Sequence, residues 1–251
     1  MLRLIERAFI FKPDFVDHGA LHNRKHERFR FGSSAGLDLD AVWLPQDSRR
    51  VALFLHGNRH NLTKFADHYA LFQSLNVSCL AFDYPGYGTS SGTPSEESFY
   101  RSAHAAYIHL REQRGFAPSQ ILVYGFSLGG AAALELLQSH SAAALITEST
   151  FTNSHAMARY RYPIVPLSRI FPNRFTNDAR IQNISSPCLL IHGEDDSVIP
   201  LRMAHELLSL APQPKELVTV AGAQHTDSLI RGAKELQDKI RSFIFEHVGK
   251  D

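Results

Sequence analysis

The sequence predicts an α/β fold: a doubly wound, mostly parallel sheet flanked by helices on both faces, with an N-terminal antiparallel hairpin and a short lid insertion. Three observations predict it. Continuous apolar runs recur along the chain, as expected for strands covered on both faces. Helix-length segments separate those runs, and this alternation calls for a sheet between helical layers. Ahead of them, two short runs alternate apolar and polar residues, the pattern of a hairpin.

The hairpin is "ERFRFG" and "LDLDAVWLP", separated by "SSAG". The apolar runs follow as "VALFLHG", "VSCLAFDYPG", "ILVYGFS", "AAALITEST" and "PCLLIHG", with "KELVTVAGA" similar. Between them, "NLTKFADHYALFQSL" carries Phe65, Tyr69, Phe72 and Leu75 at helical spacing. "SEESFYRSAHAAYIHLREQ" opens on Ser95 with Glu96 and Glu97 in its first turn, which suits a helix N-terminus. Ser98 stands where a capping box would want Glu. "GGAAALELLQS", "PLRMAHELLSL" and "LIRGAKELQDKIRSFIFEHV" complete the helices. A hairpin on one sheet edge is compatible with this arrangement.

One segment breaks the rhythm. A long stretch between Glu148 and Pro187 is rich in Pro, Arg and aromatics. Connections of that length are usually functional or disordered, and the aromatic content argues against disorder. Residues 151–182 are therefore expected to form a short lid within a single domain spanning 1–251. From Phe151 to Arg180, Arg159, Arg161, Arg169, Arg174 and Arg180 stand against Asp178 alone. These arginines are either solvated or paired elsewhere, or they form a positive rim for anionic substrates or surfaces.

Composition narrows the function classes. The 26 basic and 25 acidic residues nearly cancel, which argues against a nucleic-acid binder. Cys79 and Cys188 lie in apolar runs and read as buried reduced thiols. No apolar run approaches the ~20 residues of a membrane span. The N-terminal "MLRLIERAFIFKPDF" is interrupted by Arg3, Glu6 and Arg7, unlike the continuous apolar centre of a secretory signal. A cytoplasmic protein is expected, with a weak interfacial anchor in this segment as the alternative. The sequence suggests no metal cluster, dinucleotide fingerprint or phosphate loop, so no cofactor and no metal are expected. Oligomeric state is left open.

The chemistry is read from strand ends. Gly125-Phe126-Ser127-Leu128-Gly129 joins an apolar strand to an Ala-rich helix. A G-x-S-x-G in that context forms a sharp turn that exposes the serine oxygen above the sheet. Serine needs a base to become a nucleophile, and histidine suits that task near neutral pH. His225 follows the last strand, on the same sheet end as Ser127. His56 also ends a strand and is assigned to shaping its loop; His60, His192 and His205 are read as structural. The base needs a carboxylate to fix its tautomer. Asp196 is chosen from "GEDDS", with Asp195 as fallback and Glu148 as a substitute acid. The developing oxyanion needs donors. These are the N–H groups of Leu128 and Asn58, with Arg59 the neighbouring candidate. Tyr84 or Tyr87 would line the pocket floor, although their segment reads first as structural. Met157, Tyr160, Tyr162, Ile164 and Phe171 would form an apolar lid for a short or medium acyl group.

At these residues the chain resembles the α/β-hydrolase superfamily, in particular the small-lidded branch of serine hydrolases with abhydrolase-domain proteins and their bacterial relatives. "HGN" at His56–Asn58 resembles its oxyanion loop. "DYPGYGTSSGTPSE" resembles its D-Y-x-G-Y-G-x-S-x-G-x-P-S-E segment, "HGEDDSVIP" its acid loop and "GAQH" its histidine loop. The resemblance runs from about Val51 to the C-terminus. It implies a serine hydrolase that cleaves carboxylic esters or thioesters through an acyl-enzyme, with a small-molecule or acylated substrate. The rival readings are an acyl-protein or lipid hydrolase or peptidase at a membrane surface, and a catalytically silent binding module.

Overall fold

The computed structural model of the chain describes residues 10–32, 36–165 and 172–249. The first nine residues of the N-terminal segment held as an alternative interfacial anchor, together with Arg169 and Phe171 of the lid, lie outside the described residues.

The hairpin forms as expected. Strands β1 (Glu27–Gly32) and β2 (Asp38–Leu44) pair antiparallel from Glu27↔Trp43 to Gly32↔Asp38. The continuous apolar runs become β3 (Val51–Leu55), β4 (Ser78–Phe82), β5 (Ile121–Phe126), β6 (Ala144–Glu148) and β7 (Cys188–Gly193), and the last run becomes β8 (Lys215–Val220). The sheet order is β1-β2-β4-β3-β5-β6-β7-β8. β2 meets β4 antiparallel, and every pair from β4 onward is parallel. The hairpin is thus an antiparallel edge on an otherwise parallel sheet.

Helices cover both faces. α1 (Ala66–Ser74) lies after β3, α2 (Glu96–Glu112) after β4 and α3 (Leu128–Leu136) after β5. Beyond β6 come α4 (Ser154–Arg161) and α5 (Asn177–Ile181), then α6 (Arg202–Leu210) after β7, and α7 (Ser228–Arg231) and α8 (Ala233–His247) after β8. Successive strand residues point to opposite faces, and β3 shows the consequence. Leu53 and Leu55 join the core under α2, α3 and α6, whereas Ala52 and Phe54 join the core under α1 and α8.

Two helix ends differ from the sequence pattern. Ser98 does the work of Glu in a capping box: its Oγ accepts from Ser95 N at 3.0 Å, and Ser95 Oγ accepts from Ser98 N at 3.1 Å. The C-terminal helical run is broken at Gly232, between α7 and α8. A Cβ at Gly232 would stand 2.9 Å from the Ser228 carbonyl oxygen and 2.6 Å from Leu236 Cβ.

The sheet and α3 approach each other at backbone distance. A Cβ on Gly129 would overlap the carbonyl oxygen of Leu55, and one on Gly125 would stand 2.6 Å from Gly130 Cα. Backbone atoms cannot step aside as a flexible side chain can. Gly129→Ala should therefore destabilise the fold by at least about 2 kcal/mol, within the upper part of the overpacking range. Gly222 has a φ of +69° but open space around its missing Cβ, so Gly222→Ala should cost only the left-handed strain, about 1–2 kcal/mol. Urea unfolding of the two variants checks the order, and equal losses would show that the Leu55 contact is relaxed without penalty.

Candidate active site

Ser127 sits between β5 and α3 with φ 53° and ψ −116°. A non-glycine residue held there stores local strain. Its backbone is pinned on both sides: Ser127 N donates to Glu148 O at 2.8 Å, and Thr150 Oγ1 donates to Ser127 O at 2.7 Å. The turn lifts the side chain to the carboxyl ends of the strands. Leu128 is the first residue of α3, where a backbone N–H has no intrahelical acceptor.

His225 and Asp196 reach the same place from the two loops after β8 and β7. Those loops touch through backbone. Asp195 N donates to Ala223 O at 3.0 Å, and a Cβ on Gly193 would overlap that same carbonyl oxygen. The result is a continuous chain of hydrogen bonds. His225 Nδ1 lies 2.8 Å from Asp196 Oδ2, and His225 Nε2 lies 3.0 Å from Ser127 Oγ. A carboxylate only accepts, so Nδ1 carries the proton and Nε2 is left to accept from the serine hydroxyl.

Asp196 is prepared to stay ionised. Burial opposes its charge, but the hydrogen bond and charge of His225 and the N–H groups of Ile199 and Val198 outweigh it. The carboxyl is held below its ordinary range. Both N–H groups donate to Asp196 Oδ1, at 2.9 and 2.8 Å, leaving Oδ2 for the histidine. His192 lies 3.5 Å from the same Oδ2. Burial pushes its pKa down, which favours the neutral ring donating to Ile199 O at 2.8 Å.

The other acids named from sequence lie elsewhere. Asp195 is exposed. Glu148 is buried and bonded to His68 Nε2 at 2.8 Å and Tyr124 Oη at 2.7 Å. That His68–Glu148–Tyr124 network went unread in the sequence. Its signal is a histidine on the apolar stripe of α1, three residues after Phe65 and four before Phe72.

Tyr84 and Tyr87 correct the expectation of a tyrosine-lined pocket floor. Each is 1% exposed. Their hydroxyls donate to carbonyls of the loop after β3, Tyr84 to His56 O at 3.1 Å and Tyr87 to Asn58 O at 2.8 Å. Both rings hold up the loop that carries Asn58. That loop rests on the serine turn: a Cβ on Gly57 would stand 3.3 Å from Ser127 Cβ. An N-terminal arm secures its outer side, with Lys12 N donating to Asn58 O at 2.9 Å and Asn58 Nδ2 to Ile10 O at 2.7 Å. His56 is buried, with Nδ1 bonded to its neighbour's carbonyl at 2.8 Å and Nε2 3.4 Å from Asp83.

Met157 and Tyr160 on α4 are half-buried, and Tyr160 Oη donates to Ser197 O at 3.3 Å, beside Asp196. Tyr162 and Ile164 are 42% and 94% exposed. The arginines divide. Arg174 pairs with Glu96 at 3.0 Å and Arg180 lies 4.8 Å over the Tyr100 ring, so both turn toward α2. Arg159 and Arg161 are exposed.

A serine on a tight strand-to-helix turn at the carboxyl end of a mostly parallel sheet is the architecture of an α/β hydrolase. Residues 52–175 match the model of the "Alpha/beta hydrolase family". An uncharacterized protein of Mycobacterium tuberculosis is 33% identical over 214 residues, 84% of this chain and 76% of that protein. Alpha/beta hydrolase domain-containing protein 17B of Xenopus tropicalis is 32% identical, over 80% of this chain and 68% of its own. The chain belongs to the alpha/beta hydrolase family of enzymes. Among solved structures, an esterase of Pyrococcus furiosus shares the fold at a TM-score of 0.77 and 16% identity, covering 96% of this chain and 99% of that one.

The Asp196 environment sets a pH dependence of stability. A carboxyl held below its unfolded value of about 3.9 contributes stability that is complete above that value and is lost as pH falls through the folded value. Asp196→Asn removes this titration. Its urea midpoint should change less than the parent's from pH 5 down to the acid limit of folding. Parallel midpoint-versus-pH curves for the two proteins would contradict this account.

Proposed function

We propose that the protein is a serine hydrolase that cleaves carboxylic esters or thioesters through an acyl-enzyme. The observation that carries the reading is the unbroken Asp196–His225–Ser127 hydrogen-bond chain. In the proposed reaction His225 Nε2 takes the Ser127 proton as Oγ attacks the acyl carbon. Asp196 stabilises the imidazolium that forms. The oxyanion is held by the N–H groups of Leu128 and Asn58. His225 then gives its proton to the leaving alkoxide or thiolate. The same histidine next takes a proton from water as it attacks the acyl-enzyme, and returns it to Ser127 Oγ as the acid product leaves. No step calls on a cofactor or metal.

Residues 151–182 act in this reading as a lid on a single domain, with Met157 and Tyr160 against the acyl group. The cytoplasm is the proposed compartment, consistent with two buried free cysteines. Among the described residues no helix is long and apolar enough to cross a membrane. A second reading places the reaction at an anionic lipid surface. Exposed Tyr162, Ile164 and Val165 follow exposed Arg159 and Arg161 directly in the chain, an apolar and basic tip suited to an interface. Salt-sensitive sedimentation with phosphatidylserine vesicles, weakened by Arg159→Glu with Arg161→Glu, is its expected outcome. Equal binding by parent and variant would remove it.

Hydrolysis of p-nitrophenyl esters from acetate to palmitate tests the main reading. Ser127→Ala should lower kcat by about 10⁴-fold or more and abolish fluorophosphonate labelling, and His225→Ala should fall comparably. Undiminished turnover in Ser127→Ala would refute the assignment. A parent enzyme that neither turns over nor labels would leave a silent binding module.

A further inference from the structure

Outside the serine site, one cluster of ligand-bearing side chains joins two segments far apart in sequence. His60 Nδ1 lies 2.7 Å from Asp14 Oδ2, and His18 Nε2 lies 3.1 Å from the same oxygen. The three ligand atoms all fall within 4.8 Å of one another. Two of these residues belong to the N-terminal arm, and His60 follows the loop that carries Asn58. We propose that Asp14, His18 and His60 bind one divalent transition-metal ion, Zn²⁺ by preference, and that this ion fastens the arm to the loop after β3.

The donor set and the geometry support the assignment. Two imidazoles with one carboxylate suit Zn²⁺, whereas Mg²⁺ and Ca²⁺ prefer oxygen ligands. Ligand atoms on a tetrahedral Zn²⁺ at about 2.0–2.1 Å stand roughly 3.3 Å apart. The two measured separations, 2.7 and 3.1 Å, both fall short of that value, so small side-chain rotations that open the cluster admit the ion. The side chains of His18, Asp14 and His60 are 20%, 28% and 41% exposed. They are partly buried yet reachable from solvent.

A supporting shell is present. Asn61 Nδ2 donates to Asp14 Oδ1 at 2.9 Å, which orients Oδ2 toward the histidines. His18 N is tied to Thr63 Oγ1 at 3.0 Å. His60 is itself held at φ 65°, which aims its ring back at the arm. In the metal-bound state each imidazole binds as the neutral ring with its proton on the other nitrogen. The ion would brace the segment that carries Asn58, next to Gly57 where the loop meets the serine turn. The site itself does not depend on the proposed ester chemistry.

The test is calorimetric titration of the full chain with ZnCl₂ at pH 7.5, beside thermal unfolding with and without the metal. His18→Gln and His60→Asn are the variants, the second because Asn tolerates a left-handed backbone. The parent should bind one Zn²⁺ in this site and gain Tm on binding. Both variants should fold, weaken that binding at least tenfold and lose the Tm gain. MgCl₂ at the same concentration should shift nothing. Co²⁺ should give the visible bands of a four-coordinate ion in the parent only. No binding by the folded parent up to about 100 μM would overturn the proposal, leaving a carboxylate shared by two histidines. So would unchanged stoichiometry and Tm gain in both variants, as expected if the ion sat at His225.

Discussion

The whole arrangement at the carboxyl end of the sheet rests on the backbone contact between α3 and the strands beneath it. Gly129 lies against the Leu55 carbonyl, and Gly125 lies against Gly130. This contact lets α3 start directly over β3 and β5. It also forces the joining residue into the strained conformation seen at Ser127. The strain is over-determined by neighbours: Glu148 O fixes the Ser127 N–H and Thr150 fixes its carbonyl. A larger residue at Gly129 would push α3 outward, and the serine oxygen would leave the reach of His225 with it.

Around that contact the strand ends collect buried polar groups, and their partners decide which of them can do chemistry. Burying a carboxylate costs several kcal/mol unless it is paired and hydrogen-bonded. Glu148 answers with His68 and Tyr124, all inside the core. Asp83 answers with the Leu62 N–H at 2.7 Å and the nearby His56 ring. These two acids are closed networks that tie loops to the sheet. Asp196 is equally buried, but its histidine is 14% exposed and continues to a serine hydroxyl. The difference between a structural acid–histidine pair and the proposed catalytic one is therefore access, not residue type.

This explains what was legible in the sequence. Strand order needs long-range pairing, yet each strand announced itself by an apolar run, and the hairpin by its alternation. Ser127, Asp196 and His225 were readable because each follows a strand on one sheet end, where the fold brings them together. For Tyr84 and Tyr87 the sequence left two roles open, because a tyrosine beside a strand end looks alike from sequence whether it faces a cleft or props a loop. Their hydroxyl acceptors, the His56 and Asn58 carbonyls, are backbone atoms and leave no mark in the sequence. The arginine count of the lid left two readings open for a related reason. A charge excess within one segment says nothing about Glu96 on α2, which binds Arg174 and the Phe175 N–H.

The loop after β3 is the least self-sufficient part of the site. Its proposed oxyanion donor, the Asn58 N–H, is a backbone group on a turn, and turns hold a direction only as firmly as their neighbours do. Here the supports come from three places. Tyr84 and Tyr87 brace it from below, the serine turn touches it at Gly57, and the arm bonds it through Lys12 and Ile10. Oxyanion stabilisation is worth most when its donors need no reorganisation during the reaction. In the proposed reaction an arm remote in sequence from Ser127 thus bears on the chemistry through the rigidity of one peptide N–H. The Asp14–His18–His60 cluster lies along that same strut, so whatever stiffens or loosens the arm there would act on the proposed donor rather than on the proposed nucleophile.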